Sequence, residues 1–190
     1  MLDLNLIKDC LKSSISSKRY LHSTNVSLTS AKLAEFYGFD AEKASIAGLV
    51  HDCARELGME ELLNCLAEEG IEADALTLGV KELLHGPAAV HICRKMFGIE
   101  DEEILAAVRY HTTGRENMSS LEKIVYLADF IEPLRSFDGV KELRGLAFRK
   151  LDEAVLGAFN SSIQYIISKN GLIHADTILS RNAILKELLR

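Results

Sequence analysis

The sequence predicts an all-α fold. Only 2 prolines and 12 glycines occur in 190 residues, so few positions would interrupt a helix. Apolar residues recur every three to four positions along most of the chain, which is the helical period, and no useful stretch alternates as a strand would. With 48% hydrophobic and 26% charged residues, the chain is too apolar to be disordered. We therefore expect one compact helical bundle that spans residues 1–190.

The first part of the chain predicts four helices. Gly38 stops the second, since a glycine after an apolar periodic stretch is typical of a helix C-terminus. Asp40 is a candidate N-cap of the third helix, and Gly58 follows its end. The four predicted helices cover residues 4–16, 18–37, about 41–55 and about 59–69.

The second part of the chain predicts further helices. Pro87 suits the first turn of one of them, because a proline there loses no hydrogen bond. Ser119 and Glu122 have the spacing of a capping box at the start of another. The predicted helices end at about residue 96, at His111 and before Pro133, and two more cover about 140–169 and about 176–189.

Charge and cysteine content restrict the function classes. The formal net charge of -6 makes the chain a poor electrostatic partner for a nucleic-acid backbone. The cysteines form no CxxC pair and lie in apolar helical stretches, which favours buried thiols in a reducing compartment. Charged residues interrupt the N-terminal segment, and no run of about 18 apolar residues occurs. We expect a cytoplasmic protein with no membrane or nucleic-acid partner.

The stretch AGLVHDCARELG, residues 47–58, places His51 beside Asp52 near the end of an apolar-faced helix. Ala47 and Gly48 share a small-residue face with His51, which would let another helix approach closely. The side chain of Asp52 projects about 100 degrees round the helix from His51, so the two can converge on one atom between helices. A metal ion is such an atom.

His22, His111 and Asp129 also fall on inward faces of their predicted helices. A buried unpaired carboxylate costs on the order of several kcal/mol, so a cation or a charged partner would explain an inward aspartate. Each residue also has an ordinary explanation. An inward histidine can be a hydrogen-bonded core residue, Asp52 could face solvent, and Asp129 could pair with Arg135.

This ordered set of residues resembles the HD-domain metal-dependent phosphohydrolases, whose motif is an adjacent His-Asp pair between an earlier histidine and a later aspartate. It is closest to one bacterial branch, the YqeK-type symmetrical diadenosine tetraphosphate hydrolases. The stretches that carry the resemblance are KRYLHSTNV, KASIAGLVHDCAR, LLHGPAAV and VRYHTTGRENMSSLEKIVYLADFIEPLR. The resemblance implies an HD-domain helical bundle with a metal-site core over about 18–140 and a helical cover over about 141–190.

The resemblance also implies the metal ligands. One ion would be held by His22, His51, Asp52 and Asp129, and a second by His85 and His111 with Asp52 bridging. Imidazole and carboxylate ligands without thiolate suit iron, manganese, cobalt, nickel and zinc; we expect two divalent or mixed-valence ions, with iron first. A structural metal site would instead be closed and usually rich in thiolates, so this ligand set favours catalysis.

Candidate substrate contacts surround the predicted ligands. The arginines near them in sequence are Arg19, Arg55, Arg115 and Arg135. Arginine can bind phosphate oxygens through a bidentate fork, although each of these residues could also be a solvated charge or a salt-bridge partner. Arg135 is the favoured phosphate contact, because Pro133 fixes the direction in which the chain leaves the helix that carries Asp129. Thr112 could supply a hydroxyl or a backbone donor, with Gly114 allowing close backbone approach.

Weaker assignments fall on Glu56, Glu132, His91 and His174. Asp52 and Glu56, one helical turn apart, are the predicted catalytic carboxylates, and Glu132 could similarly orient ligands or transfer protons. His91 is interpreted as a surface residue or as support for a ligand, and His174 as a loop residue.

We expect a di-metal hydrolase in which a metal-bridging hydroxide attacks a phosphorus of a polyphosphate bridge. The resemblance implies diadenosine tetraphosphate as the substrate and two ADP as the products, although no aromatic pair is visibly arranged to stack a base. The alternatives are another HD-domain nucleotide phosphatase or phosphodiesterase, and a non-catalytic metal-stabilised helical module. The apolar C-terminal helix could serve the core or a homodimer.

Overall fold

The computed structural model describes residues 4–190, so the first three residues of the predicted domain lie outside the described chain. The described residues contain helices and connections but no β-strand, which confirms the predicted all-α fold. None of these helices is both long and apolar enough to cross a bilayer. The helices are α1 (Leu4–Ser14), α2 (Ser17–Tyr37), α3 (Ala41–Val50), α4 (Met59–Glu69), α5 (Ala75–Gly79), α6 (Lys81–Phe97), α7 (Glu102–Tyr110), α8 (Ser120–Ile131), α9 (Val140–Ala147), α10 (Leu151–Ser168) and α11 (Ala175–Leu188).

Two apolar clusters fill the interior of the bundle. Leu84 of α6 and Val108 of α7 belong to one cluster, and Leu127 of α8 and Phe159 of α10 to the other. Helices α3 and α8 contribute residues to both clusters. Helix α2 packs along α3 and α8, and α7 packs on α3, α6 and α8. The helices that carry the predicted ligands therefore meet between the two clusters. Beyond them, α9 and α10 pack on α8, and α11 packs on α10.

Local sequence signals set several helix ends as predicted. The Asp40 side chain accepts the Lys43 N–H at 3.0 Å at the start of α3. Ser119 Oγ accepts the Glu122 N–H at 3.2 Å, and the Glu122 carboxylate accepts the Ser119 N–H at 2.7 Å, which completes the capping box of α8. Gly38 ends α2 in the left-handed conformation, with φ of 73°.

The third helix is shorter than the sequence predicts. Helix α3 ends at Val50 rather than near residue 55. The Cys53 N–H donates to the Val50 carbonyl and the Arg55 N–H to the Asp52 carbonyl, both at 3.0 Å. These bonds span three residues instead of four, so the backbone winds more tightly after the helix. The prediction is wrong because apolar spacing does not distinguish a continued helix from such turns.

Helix α6 begins earlier than the sequence predicts. It starts at Lys81, so Pro87 lies inside the helix and not in its first turn. The residue before the proline is Gly86, where a Cβ would lie 2.7 Å from the Arg109 carbonyl oxygen of α7. Leu84 is fully buried in the same turn. This packing outweighs the local preference for a helix that starts at the proline.

The predicted helix over about 140–169 is two helices, α9 and α10. The Tyr37 hydroxyl donates to the Ala147 carbonyl at 2.8 Å, at the point where α9 ends. This bond from α2 satisfies a carbonyl that a continuous helix would use internally. The sequence also does not predict the short helix α5, whose N-cap Asp74 accepts two backbone N–H groups.

Replacement of Gly48 by alanine should destabilise the bundle. A Cβ at this position would lie 2.8 Å from Ser30 Oγ and 3.0 Å from the Val26 carbonyl oxygen, so α2 and α3 would have to separate. We expect Gly48→Ala to lower the free energy of unfolding by about 1–3 kcal/mol in a denaturant titration. Gly145→Ala is the matched control, because its nearest neighbour would be Arg149 Nη2 at 3.9 Å. Equal stability of the two variants would contradict the tight α2–α3 contact.

Candidate metal centre

The structure brings together all the side chains predicted to bind metal, from five separate helices. His22 lies on α2, His51 and Asp52 directly follow α3, His85 lies on α6, His111 follows α7, and Asp129 lies on α8. His51 and the other three histidines are buried, as is Asp52 at 4% exposure. We call these side chains the His-Asp cluster.

Asp52 lies at the centre of the His-Asp cluster. Its Oδ2 is 3.5 Å from both His22 Nε2 and His51 Nε2, whereas its Oδ1 is 3.1 Å from His85 Nε2 and 3.7 Å from His111 Nε2. The two carboxylate oxygens therefore face different pairs of imidazoles. This is the arrangement that a bridging carboxylate between two cations requires.

Asp129 joins the side of the cluster formed by His22 and His51. Asp129 Oδ1 lies 3.1 Å from His22 Nε2 and 3.8 Å from His51 Nε2. Ligand atoms of these three residues lie within 4.8 Å of one another, and so do those of His51, Asp52 and His111. Both groups are compact enough to bind an ion.

The hydrogen bonds behind the rings show that the donor set fits a cation. His51 Nδ1 lies 2.8 Å from the Gly48 carbonyl oxygen, and His111 Nδ1 lies 2.7 Å from that of Val108. A carbonyl can only accept, so each Nδ1 carries a proton, and in the neutral ring the Nε2 lone pair would be free for a cation. An ion between these nitrogens and the carboxylates would compensate the buried negative charge.

His85 has a different hydrogen-bond pattern. Arg55 Nη1 lies 2.9 Å from His85 Nδ1, and a guanidinium can only donate. The Nε2 proton of the neutral ring then points at Asp52 Oδ1. Burial lowers the pKa of His85 to about 4, and the charges of His111 and Arg55 add to this effect. Ligation through Nε2 would therefore move this proton to Nδ1 and turn Arg55 towards the cleft.

Both aspartates of the cluster are held in the ionised form. Burial acts to raise the pKa of Asp52, but the charge of His51 and hydrogen bonds from the surrounding imidazoles outweigh it and keep the pKa well below its usual range. Burial likewise acts against the charge of Asp129, whose pKa is lowered by the hydrogen bond from His22 and the charge of Arg135. The cluster thus offers carboxylates that need no deprotonation before they bind a cation.

Glu132 orients His22 from behind. It is 2% exposed, and its carboxylate lies 3.2 Å from His22 Nδ1, 3.2 Å from Asn25 Nδ2 and 2.8 Å from the Leu134 backbone nitrogen. Because all three partners donate, Glu132 acts as an acceptor and directs His22 Nε2 into the cluster. Sequence reasoning missed Asn25, although its position one turn after His22 on α2 is a usable signal.

Arg144 of α9 fixes the end of the helix that carries Asp129. Its guanidinium donates to the carbonyls of Ile131 at 2.8 Å, Glu132 at 2.7 Å and Arg135 at 2.8 Å. These carbonyls would otherwise lack donors beyond the last turn of α8. Sequence reasoning missed Arg144, and no local pattern marks it, because its partners lie 9 to 13 residues earlier.

Three of the four candidate arginines reach the cluster. Arg19 Nη1 lies 2.5 Å from Asp52 Oδ2, and Arg135 Nη2 lies 2.5 Å from Asp129 Oδ1. Arg55 donates to His85, as described above. Thr112 Oγ1 lies 3.2 Å from His111 Nε2 and 3.4 Å from His85 Nε2. Arg115 instead pairs with Glu122, with Nε 2.6 Å from the carboxylate.

Glu56 and Gly114 serve the fold in this structure. The Glu56 carboxylate accepts the Ser16 N–H at 2.7 Å and the Ser16 hydroxyl at 2.6 Å, and these bonds lower the pKa of Glu56. Glu56 is not among the residues that line the cleft described below. Gly114 has φ of 66°, and a Cβ there would lie 2.6 Å from Phe159 Cζ, so its close approach is to α10.

The two remaining histidines lie outside the cluster. His91 is buried, with Nδ1 3.0 Å from Glu69 Oε1, so the interpretation as a surface residue is wrong, and its partner is not a ligand. His174 lies just before α11, as expected, and its Nε2 is 2.8 Å from Asp74 Oδ2. It connects the start of α11 to the start of α5.

A cleft of about 700 Å³ opens over the His-Asp cluster. This volume is typical of a small-molecule site. The arginines that line it are Arg19, Arg55 and Arg135, and the aspartates are Asp52, Asp129 and Asp138. Because the formal charges of these residues cancel, binding of a polyphosphate here requires additional positive charge.

Comparison with known proteins agrees with this geometry. Residues 19–134 match the HD domain family. A protein from Halalkalibacterium halodurans, named symmetrical bis(5'-nucleosyl)-tetraphosphatase, is 40% identical over 177 residues, which cover 93% of this chain and 94% of that protein. A Bacillus subtilis protein of the same name is 39% identical over 173 residues, covering 91% of this chain and 92% of that one.

A solved structure is similar over nearly the whole chain. It comes from Clostridium acetobutylicum and is described as a predicted HD superfamily hydrolase involved in NAD metabolism. It is 44% identical to this chain, the match covers 98% of this chain and 99% of that one, and the TM-score is 0.94.

Replacement of Glu132 by glutamine should weaken metal binding. Glutamine would replace one of the two acceptor oxygens of Glu132 with an NH₂ group. That group would face one of the donors on His22, Asn25 or Leu134, so His22 would lose its fixed orientation. We expect metal affinity to fall by about 10-fold to 100-fold, measured by competition with a chromophoric chelator. Glu35→Gln on the exposed side of α2 is the control and should bind metal as the parent does. Unchanged affinity in Glu132→Gln would show that His22 does not depend on this carboxylate.

Metal affinity should rise with pH. Burial opposes protonation of His22, but Asp129, Asp52 and Glu132 outweigh it and raise the pKa of His22 above 6.5. An ion must displace that proton, so binding is weaker below the pKa of His22 and levels off above it. The same competition titration, at about pH 6 and about pH 8, should give tighter binding at the higher value. Equal affinities would mean that His22 is not a ligand.

Proposed function

The chain belongs to the HD domain family, and on that premise we propose that it is a metal-dependent hydrolase that cleaves diadenosine tetraphosphate symmetrically into two ADP. The observation that carries the proposal is the buried His-Asp cluster at the base of a cleft of about 700 Å³. The relatives from H. halodurans and B. subtilis, both named for this activity, support the choice of substrate.

The cluster is proposed to hold two ions that share Asp52. His22, His51, Asp52 and Asp129 would hold one ion, and His85 and His111 would complete the second. This division is supported by the geometry at Asp52. Oδ2 faces His22 and His51, whereas Oδ1 faces His85 and His111. Iron is the metal proposed first, and the mixed nitrogen and oxygen donors also suit manganese, cobalt, nickel and zinc. When bound, such ions activate water and neutralise charge on the phosphoryl group that is attacked.

Arginine side chains are proposed to bind the phosphates. Arg19 and Arg135 lie on the cluster carboxylates and line the cleft, so their remaining guanidinium N–H groups can donate to phosphate oxygens. Arg55 and the Thr112 hydroxyl add donors beside His85. These donors would hold the tetraphosphate so that its central phosphorus–oxygen–phosphorus bridge lies over the cluster, and neutralise the leaving phosphate.

The chemistry adds one water across the central bridge. The water oxygen bonds to one inner phosphorus, the bridging oxygen leaves with the other, and each product keeps two phosphates. Asp52 is the proposed catalytic carboxylate, because its side chain is ionised and both of its oxygens are directed at imidazoles that surround it. Glu56 is also proposed as catalytic, although its bonds to Ser16 would have to break before it could accept a proton.

The wider setting of the protein is also proposed. We place it in the cytoplasm as a single domain over residues 1–190 that acts on free nucleotides, without a nucleic-acid or membrane partner. The net charge of -6 supports the absence of a nucleic-acid partner. A homodimer through α11 is part of the proposal, supported by the exposed Ile178, Leu179 and Leu188 of that helix.

Product analysis of diadenosine tetraphosphate tests the activity. The metal-loaded protein should release ADP as the single nucleotide product, and Asp52→Asn should reduce turnover about a thousandfold, since it removes the shared carboxylate. Asp138→Asn, at an exposed carboxylate of the same cleft, is the matched control and should keep near-parental turnover. Release of ATP and AMP would contradict symmetric cleavage. Cleavage of other nucleotides alone would favour another HD-domain phosphatase, and metal binding without any hydrolysis would favour a non-catalytic module.

A further inference from the structure

The cleft extends beyond the part of the chain that matches the HD domain family. That match ends at residue 134. Arg135, Phe137, Asp138 and a row of α10 residues line the cleft after this point. We call that row the α10 wall; it consists of Ser161, Gln164, Tyr165 and Ser168. These residues are spaced three and four apart, so they share one face of the helix.

The residues that line the cleft fall into two chemical groups. One group consists of arginines, aspartates and imidazoles, which suit phosphates and cations. The α10 wall carries hydroxyl groups, one amide and one phenol ring, and none of its side chains is charged. A nucleoside matches such a surface, because its base has an apolar face and a polar edge and its ribose has hydroxyl groups.

Aromatic rings also line the cleft. Tyr165 is 65% exposed, with Lys169 Nζ 5.8 Å from its ring centroid, so its ring is accessible to a ligand. Phe137 packs edge-to-face on Phe130 with ring centroids 5.0 Å apart, and both line the cleft. An exposed ring can stack a base of any sequence, because every base has a π-face.

Aromatic packing joins α10 to α8. Tyr126 of α8 stacks on Phe159 of α10 with ring centroids 4.2 Å apart. Phe159 is fully buried. This packing sets the position of the α10 backbone that carries Tyr165. A backbone that is positioned before binding adds little ordering cost when a ligand binds.

We propose that the α10 wall and Phe137 bind the nucleoside of one half of the substrate, with the base stacked on Tyr165 and the Gln164 amide at its polar edge. The inference rests on the proposed function for the identity of the substrate, and it gives the segment after residue 134 a role in selecting nucleotides over inorganic polyphosphates.

Ligand binding tests the subsite without hydrolysis. Calorimetry with the full chain loaded with Mn²⁺ would compare ADP with inorganic pyrophosphate, which contains the phosphates but no nucleoside. Tyr165→Ala should weaken ADP binding about tenfold or more and change pyrophosphate binding by less than about twofold. Tyr165→Phe should bind ADP nearly as the parent does, because it keeps the ring. Phe39→Ala, at an exposed ring outside the cleft, is the matched control.

Two results would overturn the subsite: a parent protein that binds ADP no better than pyrophosphate, or a Tyr165→Ala variant that weakens both ligands equally or neither. A protein that prefers ADP through Tyr165 but releases no ADP from diadenosine tetraphosphate would support the subsite and contradict the proposed reaction. The two ideas can therefore fail separately.

Discussion

A buried carboxylate surrounded by imidazoles is the constraint on which the rest of the structure depends. Asp52 is 4% exposed, and each of its oxygens faces a different pair of histidine Nε2 atoms. Such a side chain is stable only with compensating positive charge. Helix α3 ends at Val50, and this ending places His51 and Asp52 in tight turns. Glycines at Gly48 and Gly86 let the neighbouring helices approach closely enough to bring their histidines to the same point.

The groups behind the cluster determine what it can bind. Main-chain carbonyls fix the protons of His51 and His111 on Nδ1, Glu132 does the same for His22, and Arg144 holds the end of α8. These outer bonds keep the inner nitrogens directed at the carboxylates with little reorganisation. The formal charges of the arginines and aspartates that line the cleft cancel, so bound ions would supply the attraction for phosphates as well as the chemistry. Metal binding and nucleotide binding are thus expected to depend on each other.

Sequence reasoning recovered the cluster in two ways. Spacing of three and four residues indicated that His22 and Asp129 lie on inward helix faces. The full set, His85 included, came from the resemblance to the HD-domain phosphohydrolases. Sequence reasoning also recovered caps whose partners are local, such as Ser119 with Glu122. It did not predict the break between α9 and α10, which coincides with a bond from Tyr37 to Ala147, 110 residues away. For the same reason it did not find Arg144 or the α10 wall. Their roles depend on which helices pack together, and no short sequence pattern contains that information.

The location of bound metal would show whether two ions share Asp52. Anomalous diffraction from crystals of the metal-loaded protein would show where ions lie relative to this residue. We expect two peaks on opposite sides of its carboxylate, one beside His22, His51 and Asp129 and the other beside His85 and His111. A single peak, or peaks away from Asp52, in crystals of a protein active on diadenosine tetraphosphate would contradict the shared-carboxylate site.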